Sequence, residues 1–285
     1  MTKQASCEML LLSPRDLEPC LAEKWHRLLD ILNEIRSAAV AYSGGVDSAL
    51  LATATYLALG ERMAAYTIRS VLESPETIQA AAELAAQVGF RHYCIDFDDL
   101  AQPAFRANPP ERCYYCKLER LRAVGKLAAQ NDLENLLEGS NADDEGQRRP
   151  GRRALKELGV QSPLAQAGLG KTEIRALARA LGLPVWDTPS SPCLATRFPY
   201  GMQITLAGLE RVAAAEAILH ERGYRLVRVR DYGSMARIEV DPQMLERLAT
   251  DHQEVTEKLL ELGYKHVALD LMGYRSGSLD EVLEE

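Results

Sequence analysis

The chain has 285 residues, 47% hydrophobic and 26% charged, with a formal net charge of −8. That composition fits a globular protein of one or two domains, and the acidic balance argues against general nucleic-acid binding. No long uncharged apolar stretch offers a membrane span and residues 1–12 lack a signal-peptide layout, so a cytoplasmic location is expected.

Asp16 to Arg36 predicts an amphipathic helix, with Leu21, Trp25, Leu28, Leu29, Leu32 and Ile35 on one stripe. Ala38–Tyr42 predicts a strand, and Ala49–Leu59 the helix after it. Arg62–Ile68 is a second strand. Ser74-Pro75-Glu76 starts a helix that Gly89 ends. His92–Phe97 is a third strand, followed by an irregular loop to Arg112. Cys116 to Ala129 predicts a helix and Leu133–Leu137 a fourth strand. Gly151–Leu158 is a short helix, Gln161–Leu164 a short extended piece, and Lys171–Leu181 a further helix. Strands alternating with helices imply a parallel sheet, with a ligand site beyond the strands' carboxyl ends.

The texture changes near Pro199-Tyr200-Gly201. Thr205–Arg222 predicts a helix. Arg225–Arg230 and Ala236–Val240 alternate like a hairpin around Gly233-Ser234. Two short helices, Pro242–Ala249 and His252–Leu262, precede a last strand at His266–Leu271. Asp280 to Glu285 reads as a solvated acidic tail. The expected architecture is an α/β parallel-sheet domain over 1–200, followed by a small α+β domain over 201–285.

Ser43-Gly44-Gly45-Val46-Asp47-Ser48 lies between the first strand and its helix. Glycines let backbone approach an anion, the helix N-terminus offers N–H groups and partial positive charge, and Ser43 and Ser48 add hydroxyls. The pattern is neither the Walker motif nor G-x-G-x-x-G. Gly139-Ser140-Asn141-Ala142-Asp143-Asp144 follows the fourth strand. Its carboxylates suit Mg²⁺ beside a triphosphate, the bland alternative being a polar turn. Lys171 opens a helix, where a cation opposes the macrodipole, so an anionic partner such as a leaving pyrophosphate is expected. Arg148, Arg149, Arg152 and Arg153 fit a phosphate clamp or a solvated face equally.

Six cysteines in a chain expected in a reducing compartment point to metal binding or chemistry rather than a disulfide scaffold. Cys113 and Cys116 form a C-x-x-C at a helix start, open to a redox pair, half a zinc site or part of an iron–sulfur site. Cys193 lies in Ser190-Ser191-Pro192-Cys193-Leu194-Ala195-Thr196-Arg197. Cys7, Cys20 and Cys94 have no such context. Arg228 and Arg230 alternate on one strand face, with Glu239 on the next strand and Glu216 on the preceding helix. That set reads as a phosphate or carboxylate clamp, or as a cross-strand ion pair.

The first of these motifs resembles the PP-loop of the N-type ATP pyrophosphatases. Across nearly its full length the chain resembles the LarE-type sulfur transferases of the adenine nucleotide α-hydrolase superfamily. The carrying segments are Ala41 to Ser48, Glu138 to Asp144, Arg149-Pro150-Gly151-Arg152, Lys171 to Arg175, Trp186 to Gly201, Asp231 to Val240 and Gly273 to Gly277. The resemblance implies ATP bound by Ala41, Ser43, Gly44, Gly45, Asp47, Ser48, Gly139, Asn141, Asp144 and Lys171, with Mg²⁺. It implies adenylation of pyridinium-3,5-biscarboxylic acid mononucleotide, then conversion to a thiocarboxylate for the nickel-pincer nucleotide of lactate racemase. Asp47, Lys171 and Cys193 would be catalytic, and Arg197, Arg228, Arg230, Glu216 and Glu239 would contact the small-molecule substrate. Family members with one sacrificial cysteine lack the C-x-x-C. Its presence resembles the branch in which Cys113, Cys116 and Cys193 would hold a 4Fe-4S cluster carrying sulfide from a sulfur donor. A homo-oligomer is also implied. The competing readings are a tRNA-thiolating enzyme, an ATP-dependent amidotransferase, a single-cysteine donor and a nucleotide-sensing module.

Overall fold

A computed structural model describes residues 17–144, 150–188, 192–275 and 277–279. Arg148, Arg149, Ser190, Ser191, Ser276, Cys7 and the acidic end lie outside the described residues. In chain order the helices are α1 Pro19–Asn33, α2 Val46–Leu59, α3 Pro75–Val88, α4 Pro103–Arg106, α5 Arg112–Gln130, α6 Gly151–Leu158, α7 Pro163–Gln166, α8 Lys171–Ala180, α9 Leu206–Glu221, α10 Leu245–Thr250 and α11 His252–Glu261. The strands are β1 Ala38–Ala41, β2 Met63–Arg69, β3 His92–Asp96, β4 Asn135–Leu137, β5 Val227–Asp231, β6 Met235–Val240 and β7 His266–Leu269. The described residues fall into two compact units: those of Met1–Phe97 with Cys113–Ser191, and those of Asp98–Arg112 with Pro192–Glu285.

The first unit is a parallel α/β layer structure with strand order β3-β2-β1-β4. Its central strand, Ala-Ala-Val-Ala, is apolar on both faces, as a strand covered on both sides must be. Ala38 and Val40 join the core under α1, α2, α3 and α8. Ala39, Ala64 and Tyr66 face the other way, onto Val124 and Ala128 of α5. The crossovers through α2 and α3 thus cover one face and α5 the other. The strand order reverses at β1, between β1 and β4, and an open parallel sheet leaves its ligand crevice there. Helix α2 is buried on nearly every side, which explains its almost uninterrupted run of apolar and small residues.

The second unit has a three-stranded sheet, β5-β6-β7, with β5 and β6 antiparallel and β7 parallel to β6. Leu219, Tyr224, Val229, Ile238, Leu248 and Leu259 belong to one core cluster with parts of α9, α10 and α11. The segment expected as an irregular loop, 98–112, carries a 3-10 turn and the single helical turn α4. Polar stitches bind it to 195–204. Asn108 donates its side-chain amide to Phe198 O at 3.3 Å and Pro199 O at 2.7 Å, and Arg112 Nη1 donates to Ala195 O at 2.9 Å. Gln161 bridges to Leu137 as an extended residue, but Pro163 then opens α7, so the extended piece is shorter than expected.

Candidate functional site

The crevice between β1 and β4 opens into a cleft of about 640 Å³ in the first unit. Ala41, Ser43, Gly45, Asp47, Ser48, Gly139, Asn141, Asp144 and Lys171 line it. Gly44 turns the loop with φ +78°, and a Cβ there would come to 3.0 Å from Ala81 Cβ, so glycine is needed for both reasons. Ser48 Oγ donates to Gly45 O at 3.0 Å and accepts Ser43 N–H at 3.2 Å, which closes the loop on itself. Gly45 is the N-cap of α2 and brings no side-chain cap, leaving first-turn N–H groups for water or an anion.

Three elements meet on Asp47. Lys171 Nζ pairs with its Oδ2, and Asn141 Nδ2 donates to its Oδ1 at 3.1 Å. The anionic partner expected for Lys171 is therefore Asp47 in this structure. Asp143 Oδ2 accepts Lys171 N–H at 2.7 Å, and Glu173 accepts Gly170 N–H at 2.9 Å and the Lys24 ammonium. These two carboxylates at the start of α8 offset the cost of a lysine at a positive helix end. Asn141 N–H donates to Asp144 Oδ2 at 3.0 Å, which shapes the turn after β4.

The remaining wall includes residues that the sequence motifs did not mark. Tyr66, Thr67, Ile68, Ile78, Leu121 and Val124 make an apolar part, large enough for a flat ring system. Cys116 and Lys117 of α5 and Glu138 also line the cleft. Burial acts to raise the Glu138 carboxyl's pKa, but the Lys117 ammonium and hydrogen bonds from Lys117, Ser162 and Ser140 outweigh it and hold the group below the ordinary carboxylate range. Arg120 of α5 pairs with Glu73 at 2.7 Å on another part of the lining.

Cys113 is exposed, whereas Cys116 and Cys193 are half-buried, and none of the three is in a disulfide. Within either unit, no group of three or more His, Cys, Asp or Glu residues placed to hold a metal ion is found among the described residues. Of the basic cluster, Arg152 Nη1 donates to Asp144 O at 3.3 Å, while Arg153 pairs with Glu157 on an exposed helix face.

In the second unit, Arg197 and Glu216 form a buried two-pronged pair, both contacts at 2.8 Å. Arg197 Nη1 also donates to Pro192 O at 2.8 Å and Cys193 O at 3.2 Å, so it holds the turn that carries Cys193. Arg230 grips Glu239 at 2.9 and 2.7 Å and reaches Thr196 O at 2.6 Å. Arg237 Nη2 shares the same carboxylate, with Glu239 Oε1 at 2.8 Å. Arg228 makes no direct ion pair with a carboxylate among the described residues, though the Glu216 carboxylate is close enough to act on its charge. It donates to Val227 O at 2.6 Å and lies over the Tyr274 ring. Burial, then the neighbouring Arg197 guanidinium, lowers its pKa. The five predicted substrate contacts are therefore gathered around the Cys193 turn. Two carboxylates, Glu216 and Glu239, are engaged by Arg197 and Arg230.

No family model matches the chain. It is 40% identical over 265 residues to the uncharacterized protein slr1717 of Synechocystis sp., covering 92% of this chain and 99% of that one. It is 34% identical over 264 residues to the pyridinium-3,5-bisthiocarboxylic acid mononucleotide synthase of Lactiplantibacillus plantarum, covering 92% and 96%. It is 30% identical over 237 residues to the uncharacterized protein MJ0830 of Methanocaldococcus jannaschii, covering 83% and 90%. A parallel α/β sheet with a cysteine-bearing cleft and a match to such a synthase over 92% of the chain lead to one assignment: the chain belongs to the LarE-type family of sulfur transferases.

Proposed function

We propose that the chain uses ATP to activate a carboxylate of pyridinium-3,5-biscarboxylic acid mononucleotide and replaces the activated oxygen with sulfur, forming AMP and pyrophosphate. The observation that carries this reading is the junction of Asp47, Asn141 and Lys171 at the point where the strand order reverses. The loop 43–48 and the start of α2 would receive the β- and γ-phosphates, and Lys171 would stabilise the charge of the departing pyrophosphate. Asp47 and Asp144 would hold Mg²⁺ together with phosphate oxygens, and the ion would neutralise charge on the transferring group. The apolar wall of Ile68, Ile78, Leu121 and Val124 would take the base.

A carboxylate is a poor electrophile. Attack of its oxygen on the α-phosphorus expels pyrophosphate and leaves an acyl-adenylate. Hydrosulfide adding to the acyl carbon would expel AMP with the bonding pair and leave the thiocarboxylate. A Cys193 thiolate adding there would instead give a thioester, released as thiocarboxylate only when the Cys193 Cβ–S bond breaks with loss of the α-proton, leaving dehydroalanine. Cys193 is the residue assigned to sulfur delivery, and Arg228 would hold the substrate's phosphate beside it. A three-cysteine cluster needs three thiolates. Such a cluster would draw Cys113 and Cys116 from the first unit and Cys193 from the second.

Incubation with ATP, the biscarboxylate mononucleotide and sulfide should release pyrophosphate and yield a thiocarboxylate identified by mass. Pyrophosphate release with ammonia but not sulfide as the accepted nucleophile would overturn the reading in favour of amide formation. Iron and acid-labile sulfide, measured in protein prepared without oxygen, test the cluster directly. The family resemblance leads one to expect about four of each per chain, and a chain without iron would leave sulfur delivery to the thiols alone.

A further inference from the structure

Glu138 follows β4 directly and is 6% exposed. A carboxylate so buried is costly unless its oxygens are occupied. Its Oε1 accepts Ser140 N–H at 3.0 Å and the Ser162 hydroxyl at 2.5 Å, and its Oε2 accepts Lys117 Nζ at 2.8 Å. Ser140 precedes Asn141, which holds Asp47. Lys117 follows Cys116 on α5. The lysine stem is itself confined, since a Cβ at Gly151 would lie 3.1 Å from Lys117 Cδ. One buried carboxylate thus joins the loop that faces the phosphate site to the turn of helix that carries the C-x-x-C.

We infer that Glu138 is a positioning residue that couples occupancy of the nucleotide site to the Cys116 end of α5 through Lys117. The inference rests on the nucleotide reading of the cleft. A ligand that draws on Ser140 and Asn141 moves the acceptor Oε1, and the rigid carboxylate carries that movement to Oε2 and the ammonium. The two chemical halves, activation of the acyl group and handling of sulfur, are thereby set in register. A ligand transmits only its differential affinity for the two arrangements, so the pair must differ between them.

Hydrogen exchange on the full chain, with and without Mg²⁺-ATP, reads this out without relying on turnover. In the parent, ATP slows exchange both in the loop 43–48 and in α5 residues 112–121. In Glu138→Gln and in Lys117→Met the loop remains protected, while the slowing in α5 shrinks roughly fivefold or more. Lys117→Arg, which keeps the cation, retains the α5 response. Thermal melting first establishes which variants are folded, and should Glu138→Gln not fold, Lys117→Met against Lys117→Arg decides. Undiminished α5 protection in Lys117→Met overturns the coupling. So does a parent in which the loop is protected and α5 is not. A parent protected at neither place removes the nucleotide reading, and the coupling with it.

Discussion

Asp47 accepts the side-chain amide of Asn141 and the ammonium of Lys171, although 94 and 124 residues of sequence separate them from it. One carboxylate at the start of α2 therefore gathers the loop after β4 and the start of α8 onto the loop 43–48. Removing the cation should weaken stabilisation of the developing charge. Lys171→Ala is expected to lower kcat for pyrophosphate release by about 10²–10³, the cost of losing one preorganised donor. Steady-state kinetics with saturating substrate measure it, and a loss of less than about tenfold would remove Lys171 from that role.

Gly139 brings β4's loop against the same helix start. A Cβ there would stand 3.0 Å from Ser48 N and 3.2 Å from Ser48 Cα, and backbone cannot yield as a flexible side chain can. Gly139→Ala should push the two loops apart at a cost of about 1–3 kcal/mol. ATP affinity by calorimetry should fall about tenfold or more, since that is what 1.4 kcal/mol at the site amounts to. Unchanged affinity would mean that the loops separate without consequence for the phosphates.

The Arg197–Glu216 pair is nearly excluded from solvent, with side-chain exposures of 3% and 8%. Glu216 Oε1 also accepts Val229 N–H at 2.9 Å. Glu216→Ala leaves a buried guanidinium and an unpaired strand amide, and should destabilise the second unit by about 3–5 kcal/mol. Denaturant unfolding followed by the transition of that unit is the measurement. A cost under about 1 kcal/mol would place the pair with exposed ion pairs in its energetics.

His92 supplies a pH dependence. Its Nε2 lies 2.8 Å from Thr67 Oγ1, whose hydroxyl donates to Tyr42 O at 2.7 Å, so the ring nitrogen is the donor. Burial lowers the His92 pKa below its ordinary 6.5. The unfolded chain then binds this proton more readily than the folded one. The contribution is complete above the unfolded pKa and is lost as pH falls from about 6.5 toward the lower folded value. Urea midpoints at pH 7.5 and 5.5 should fall further for the parent than for His92→Gln, and equal falls would exclude His92 as the source.

Much of the first unit was legible because its signals are local. Ser74 caps α3 by accepting Thr77 N–H at 3.3 Å, Pro75 opens it and Gly89 closes it, each as the residue types require. The loop 43–48 and the turn after β4 both lie at strand ends, where the β-α alternation put them. Segment 98–112 was opaque for the opposite reason. What shapes it is Asn108 and Arg112 reaching carbonyls some ninety residues along the chain, and no periodicity records such contacts. The alternation in Arg228-Val229-Arg230 marked a shared face but not its environment, since every residue of β5 is buried. Lys117 went unmarked, and Glu138 stood only as the first residue of a family segment, because their pairing spans 21 residues between a helix and a strand end.

Arg197 holds the carbonyls of Pro192 and Cys193, and Arg230 holds that of Thr196. These contacts are made to main-chain oxygens. Chemistry at the Cys193 sulfur, whether it gains an atom, gives one up or loses its own, leaves all three acceptors unaltered. The turn is thus held through its main chain, by contacts that do not involve the Cys193 thiol. If the thiol is the reacting group, alkylating or persulfidating it should leave these three main-chain contacts in place.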